Sequence, residues 1–283
     1  MSGLRLAANA KVNLTLDVIG RRPDGYHELR SVFARISLFD ELRVQRAKAW
    51  RVAIRPPLGE RPDLAERAAR ELAARAGRED AAAISIRKRI PVASGLGGGS
   101  SDAAHVLLAL ARLWRVEPAI VDGCAAAMGS DVPFFVDGPI AEVSGRGERV
   151  RGLPGGPWWG ALILPHGRIS TAAAFSRLER SMWSDGSRTA ALVRALEAGH
   201  VDAAALRGLC GNDFDRVALA LCPEIGALRQ RALPSPLFLS GSGPALFAIV
   251  DDRAGALALR RRLRHARART VVVRIGVSSA DSA

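Results

Sequence analysis

The sequence predicts an α+β protein of two domains with a cleft between them, and three observations carry the prediction. Strand-like and helix-like patterns succeed one another along 283 residues, with no internal repeat and no low-complexity tract. A glycine-rich loop near residue 95 joins a strand pattern to a helix pattern. Residues 150–157 hold three glycines and two prolines, a linker composition that divides the chain into domains over 1–153 and 154–283.

The elements follow in order. In residues 9–18, Val12, Leu14, Leu16 and Val18 fall on one face and Lys11, Asn13, Thr15 and Asp17 on the other, which predicts a half-buried strand. Lys11 and Asn13 stand side by side on its polar face. Pro23, Asp24 and Gly25 make a turn, and a second strand-like stretch runs through Val32 and Phe33 to Val44. Pro62 and Asp63 open a helix whose apolar face is Leu64, Ala68, Ala69, Leu72 and Ala76, and Gly77 ends it. Residues 83–87 alternate as a strand. After the glycine loop, Ala103, Leu107, Leu110, Ala111 and Trp114 recur at helical spacing. A helix over 118–128 stops at Gly129, and residues 130–135 read as extended. The second half offers a strand at 158–164, helices at 188–198 and 201–209, a strand at 237–239 and a turn at Gly241-Ser242-Gly243. A strand at 246–250, a helix at 253–265 and a strand at 270–275 complete it.

The loop Pro91-Val92-Ala93-Ser94-Gly95-Leu96-Gly97-Gly98-Gly99-Ser100-Ser101-Asp102 has the build of a phosphate cradle. Glycines let consecutive backbone N–H groups converge on an anion, and a helix starting at Ser100 or Ser101 adds unpaired amides and the positive end of its dipole. A Walker loop needs a lysine where Ser100 stands. A Rossmann fingerprint laid on Gly95 and Gly97 would need a third glycine at that same Ser100. A flexible loop with a capping serine is the bland alternative, and four glycines in five positions before an apolar helix speak against it.

Composition narrows the class further. Cys124, Cys210 and Cys222 show no C-x-x-C spacing, so neither a disulfide framework nor a thiolate zinc site is indicated, and a cytoplasmic location fits. The five histidines form no metal-binding pair, so no protein metal site is expected. No stretch approaches the about 18 apolar residues that span a bilayer, so no membrane partner is expected. The net charge of +13 raises nucleic acid as a partner, but the arginines are scattered. The dense run over 260–269 reads as a solvated basic helix, so no nucleic-acid partner is expected either. Among 38 arginines stand only three lysines, Lys11, Lys48 and Lys88. A lysine kept in such a composition points to chemistry that needs a compact ammonium.

Three segments together resemble the GHMP kinase superfamily: Ala10-Lys11-Val12-Asn13-Leu14, the loop from Pro91 to Ala104, and Leu239-Ser240-Gly241-Ser242-Gly243-Pro244-Ala245. Two more, Gly20-Arg21-Arg22-Pro23-Asp24-Gly25-Tyr26-His27-Glu28-Leu29 and Gly129-Ser130-Asp131-Val132-Pro133-Phe134-Phe135, are similar to its cytidyl-methylerythritol kinase branch. The resemblance implies an N-terminal domain like one in ribosomal protein S5 and a ferredoxin-like C-terminal domain. It implies ATP as donor and a small-molecule acceptor, a cytidine diphosphate-linked methylerythritol phosphorylated on its 2-hydroxyl. Pro91, Val92, Ala93, Ser94, Gly95, Leu96, Gly97, Gly98, Gly99, Ser100 and Ser101 would wrap the ATP phosphates. Lys11 and Asp131 would sit at the reacting hydroxyl, and Asn13, Tyr26, His27, Phe33 and Phe175 would line the substrate pocket. Standing alone, Asp131 reads as a turn or cap aspartate and His27 as a structural histidine. Mg²⁺ would bridge the β- and γ-phosphates, with Ser101 one possible ligand and no clear acidic one.

Overall fold

The computed structural model describes residues 3–57, 63–199 and 201–278. Two long strands organise it. β1 (Leu4–Arg21) and β2 (His27–Ala47) form an antiparallel hairpin. Gly25 closes its turn at φ +86°, and Asp24 accepts the Tyr26 N–H at 3.1 Å, as an aspartate-nucleated turn requires. β2 then pairs with β5 (Ile140–Gly145) along its first half and with β4 (Ala81–Arg87) along its second. β3 (Arg51–Arg55) extends the sheet parallel to β4, and β6 (Arg149–Gly152) extends it antiparallel to β5. Four helices, α1 (Leu64–Arg75), α2 (Gly98–Trp114), α3 (Pro118–Met128) and α4 (Val132–Val136), pack against this sheet. Leu72, Leu107, Leu110, Trp114 and Phe134 meet Val44, Ile84 and Ile86 in its core.

The second half is an antiparallel sheet in the order β9 (Phe238–Leu239), β10 (Leu246–Val250), β7 (Trp158–Pro165), β11 (Ala268–Ile275). Beside it lie α5 (Thr171–Ser176), α8 (Asp215–Leu221), α9 (Glu224–Ala232) and α10 (Arg253–Arg262). Phe214, Val217, Ile225, Leu228 and Leu259 bury their side chains with Ala161, Ile163, Leu246 and Ala248. Positions 153 and 154 fall between β6 and β7, and the α+β class holds. α10 ends at Arg262, short of the expected 265. Its last turn carries the exposed Arg260, Arg261 and Arg262, where cations complement the helix dipole. Cys124, Cys210 and Cys222 are free thiols. Among the described residues no helix is long and apolar enough to cross a membrane.

The halves share strands and core. β11 meets β2 at Ile275↔Ile36, and β8 (Gly211–Asn212) runs parallel to β1 at Thr15 and Leu16. α6 (Ser187–Glu197) and α7 (Ala203–Leu209) insert Leu192, Leu196 and Leu206 into a core with Val12, Leu14, Val32, Leu162 and Phe247. This overturns the half-buried reading of the first strand. β1 is buried on both sides from Ala8 to Val18: α6 of the second half covers Thr15 and Asp17, while Lys11 and Asn13, on the far side of a register shift, face the cavity wall. Residues 132–136 are helix α4 rather than extended: Pro133 sits in its first turn, where a missing N–H costs nothing. α2 starts at Gly98, ahead of the expected serines. Asp63 caps α1 by accepting the Glu66 N–H at 2.9 Å, and Pro62 lies outside the described residues.

Candidate active site

A cavity of about 870 Å³ opens between the halves, large enough to enclose much of two small molecules. The glycine loop forms one wall. Gly95 and Gly97 take φ +80° and +69°, a region glycine enters without strain. Close approach matters as much as torsion. A Cβ on Gly95 would stand 2.4 Å from the Ser240 carbonyl oxygen, and one on Gly241 would stand 3.1 Å from the Gly95 oxygen. The loop is thus interlocked with the Gly241-Ser242-Gly243 turn. Ser240 Oγ donates to the Gly95 carbonyl at 3.2 Å, and the Ala245 N–H donates to the Ser94 carbonyl at 3.3 Å. Gly97, just before α2, takes the left-handed conformation and no side chain caps the helix, so the first-turn amides remain available to an anion.

Residues Pro91 through Ser100 all line the cavity. Ser101 is not among them: its side chain is fully buried, 3.4 Å from His105 Nδ1, and its N–H donates to the Gly97 carbonyl at 2.9 Å. Both its polar groups are engaged inside the fold.

Lys11 and Asp131 meet at 3.6 Å across the cavity. Lys11 Nζ also donates to Asn13 Oδ1 at 2.7 Å and lies 4.3 Å above the Phe33 ring, which forms the floor. Asn13 in turn donates to Ser31 Oγ at 3.1 Å. Register shifts in the hairpin on either side of Lys11 to Asn13 mark bulges, which aim these side chains toward the loop. Burial pushes the Lys11 ammonium below its ordinary pKa, and the neighbouring Asp131 carboxylate opposes that shift. Asp131 precedes α4 and makes no capping bond of its own, which leaves its carboxylate to the cavity. Arg35, opposite Lys11 in the hairpin, holds α4 in place by donating to the carbonyls of Phe135 at 2.8 Å and Asp137 at 3.0 Å.

The second retained lysine is also here. Lys88 Nζ lies 2.5 Å from Asp40 and 2.6 Å from Asp102, beneath the start of α2. Burial, with the Asp40 carboxylate adding to it and Lys88 opposing, raises Asp102 to about 7. The two carboxylates outweigh burial at Lys88 and raise its pKa. Lys48, the third lysine, is exposed and outside the cavity.

At the far end stand Tyr26, His27 and Phe175. The His27 and Phe175 rings meet at 5.0 Å, tilted by 34°, and Phe214 backs Phe175 edge-on at 4.8 Å. Tyr26 is exposed, with the Arg146 guanidinium 5.1 Å from its ring centre. Burial and, after it, the Arg21 charge lower the His27 pKa, so the ring is neutral at pH 7 with one donor and one acceptor nitrogen. Sequence reasoning missed Arg21, Ser31, Lys88, Arg146, Thr171 and Ser242 as cavity residues. Lys88 had a signal in its rarity. Ser242 lay in the Leu239–Ala245 segment that carried the family resemblance, whereas Thr171, whose hydroxyl lies 3.2 Å from that of Ser242, had no signal, because nothing local relates α5 to a turn 71 residues later.

A glycine-rich amide loop facing the buried Lys11 and the half-exposed Asp131 in one cavity fits a small-molecule kinase of the GHMP class. The GHMP kinases N terminal domain matches residues 63–139 and the GHMP kinases C terminal domain residues 192–268. The chain is 42% identical over 275 residues to a 4-diphosphocytidyl-2-C-methyl-D-erythritol kinase of Symbiobacterium thermophilum, covering 92% of this chain and 95% of that one. A Gloeobacter violaceus relative of the same name is 39% identical, with 92% and 89% covered. A crystal structure of 4-(cytidine 5'-diphospho)-2C-methyl-D-erythritol kinase superposes with a TM-score of 0.84 at 35% identity, over 97% of this chain and 100% of that one. Homoserine kinase from Cytophaga hutchinsonii, at 17% identity and a TM-score of 0.75 over 96% and 94%, shares the fold. This chain belongs to the 4-diphosphocytidyl-2-C-methyl-D-erythritol kinase family.

Proposed function

We propose that the chain transfers the γ-phosphoryl group of ATP to the 2-hydroxyl of 4-diphosphocytidyl-2-C-methyl-D-erythritol, a step of the non-mevalonate route to isoprenoid precursors, with Lys11 and Asp131 at the reacting hydroxyl. The observation that carries this reading is their 3.6 Å pairing in the cavity that also holds the loop amides and the His27–Phe175 ring pair.

The ATP phosphates lie against the amides of the loop from Pro91 to Ser100 and the start of α2. Tyr26, His27 and Phe175 receive the cytosine: aromatic faces stack on the base, and the neutral His27 meets its polar edge. Asn13, held by Ser31, orients the methylerythritol end, and Phe33 closes the floor. In the transfer, a bond forms between the acceptor oxygen and Pγ while the bond from Pγ to ADP breaks, and the hydroxyl proton passes to Asp131. Phosphoryl transfer runs through a loose transition state in which proton removal is late, so Asp131 serves first to aim the hydroxyl. Lys11 stabilises the charge gathering on the transferred group from a site with little water around it.

Magnesium would come with the triphosphate. Among the described residues no three His, Cys, Asp or Glu side chains gather around a possible ion, Asp40 and Asp102 are engaged by Lys88, and Ser101 faces His105. These residues do not make a protein cage for the ion, and no step is routed through it.

The test is ADP release with ATP, magnesium and each of the cytidyl-methylerythritol, homoserine and mevalonate, with the phosphorylated product identified by mass. Turnover is expected with the first acceptor alone. Asp131→Asn keeps the shape and removes the proton acceptor, so kcat should fall about 10²- to 10⁴-fold. Unchanged turnover in that variant would exclude the site.

A further inference from the structure

The glycine loop leaves the sheet after Ile90 and returns at Gly98, and its two ends touch. A Cβ on Gly98 would stand 2.9 Å from Ile90 Cγ2 and 3.5 Å from Lys88 Nζ. A buried group of charges lies under this junction. Asp40, inside β2, accepts the N–H groups of Arg89 at 2.5 Å and Ile90 at 2.9 Å through Oδ1, and the Lys88 ammonium at 2.5 Å through Oδ2. The same ammonium donates to Asp102 Oδ2 at 2.6 Å, in the second turn of α2. Lys88 therefore ties the residues that enter the loop to the helix that follows it. All three side chains are buried.

The cluster is poorly built for stability alone. It sets two carboxylates against one ammonium out of water, and among the described residues Asp102 Oδ1 has no hydrogen-bond partner. A buried oxygen left unsatisfied is costly, and a buried ion pair offsets its own desolvation only when its remaining polar atoms are also engaged. What the cluster does fix is distance. Lysine fits there because a compact ammonium can sit between two carboxylates directly beneath Gly98, where a planar guanidinium would need more room. This accounts for the second lysine kept in a chain of 38 arginines. We propose that Lys88 is a positioning residue: bridged between Asp40 and Asp102, it sets the span of the glycine loop and so holds the loop amides at the spacing the donor's phosphates require. The inference rests on the reading of that loop as the donor site.

Titration calorimetry with ADP and magnesium, together with turnover of ATP and the cytidyl-methylerythritol, tests it. The informative variant is Asp102→Ala, which releases α2 and leaves Lys88 and Asp40 as a balanced pair, so the fold is kept. ADP affinity should fall about tenfold and KM for ATP rise by a similar factor, the scale of one charge-assisted contact, while kcat at saturating ATP and KM for the acceptor change less than about twofold. Asp102→Asn can still accept from Lys88 and should restore most of the loss. Adding Lys88→Met to Asp102→Ala should weaken ADP little further, because the tie is already cut and Asp40 keeps its bonds from Arg89 and Ile90. A further loss of about tenfold would mean that the ammonium touches the phosphates itself, and it would overturn the positioning role. Unchanged ADP affinity in Asp102→Ala overturns it as well. So does a fall shared equally by ADP and the acceptor, the mark of a general loosening. If the unaltered chain binds no ADP, the donor reading fails first and the proposal falls with it.

Discussion

Lys11 holds three relationships at once: the Asp131 carboxylate at 3.6 Å, the Asn13 carbonyl oxygen at 2.7 Å and the Phe33 ring at 4.3 Å. Burial favours its neutral form while Asp131 favours the cation, and burial is the larger influence. The cation is therefore lost as pH rises, earlier than in a free lysine at 10.5. If the cation stabilises the transferring phosphoryl group, kcat/KM should be flat near neutrality and fall on the alkaline side with an apparent pKa below 10.5. Lys11→Arg, always charged, should remove that limb while lowering the plateau, because a fork cannot reproduce the geometry of a compact ammonium. A pH profile of both proteins checks this, and a limb shared by the two assigns the titration elsewhere. The sequence made Lys11 legible through its scarcity among arginines and its place beside Asn13. It gave no such reading of Arg35, because the role of that residue depends on carbonyls of α4, some 100 positions away.

At the scale of elements, the glycine loop works as one half of an interlocked pair. Its shape was legible because glycine clustering is a local signal, and the helix after it announced itself by apolar spacing. The partner turn was legible as a turn and as part of the family resemblance, but what it supports is set by backbone contacts between residues 95 and 241. The same limit explains two misreadings. Five residues of α4 are too few to show a helical period, and alternation in β1 looked half-buried because the second half that covers it lies far along the chain. The interlock yields a prediction. Gly95→Ala places a methyl 2.4 Å from the Ser240 oxygen and asks alanine to hold φ +80°, so the loop must move. KM for ATP should rise at least about tenfold, the loss expected when amides no longer converge on the phosphates. Cytidine affinity, read by calorimetry at the other end of the cavity, should hold. Equal losses at both ends would mean that the loop also shapes the base site.

Across the whole molecule, the cleft stays aligned because the second half is fastened to the strand that carries Lys11 and Asn13. Ser184, Arg188 and Thr189 supply the fastening. Arg188 Nη1 donates to Asp17 at 2.9 Å and to Asp213 at 3.2 Å. Asp17 also accepts the Thr189 N–H at 2.8 Å, while Asp213 accepts the Val18 N–H at 2.8 Å and the Ser184 hydroxyl at 2.7 Å. Asp17 is fully buried and Asp213 nearly so, and one guanidinium neutralises both. Arg188→Ala leaves two carboxylates without their cation, a loss of about 3 kcal/mol when a buried pair is broken. For a chain of this size that corresponds to a fall in Tm of roughly 5–10 °C. Because β8 and α6 from the second half complete the packing around β1, unfolding should remain a single transition rather than split in two. Adding Asp17→Asn to Arg188→Ala should recover part of the lost Tm, since a neutral amide needs no counter-ion. Calorimetric scans of the unaltered chain and the two variants decide the matter: two separate transitions, or an unmoved Tm in Arg188→Ala, would show that the halves hold together by their shared apolar core alone.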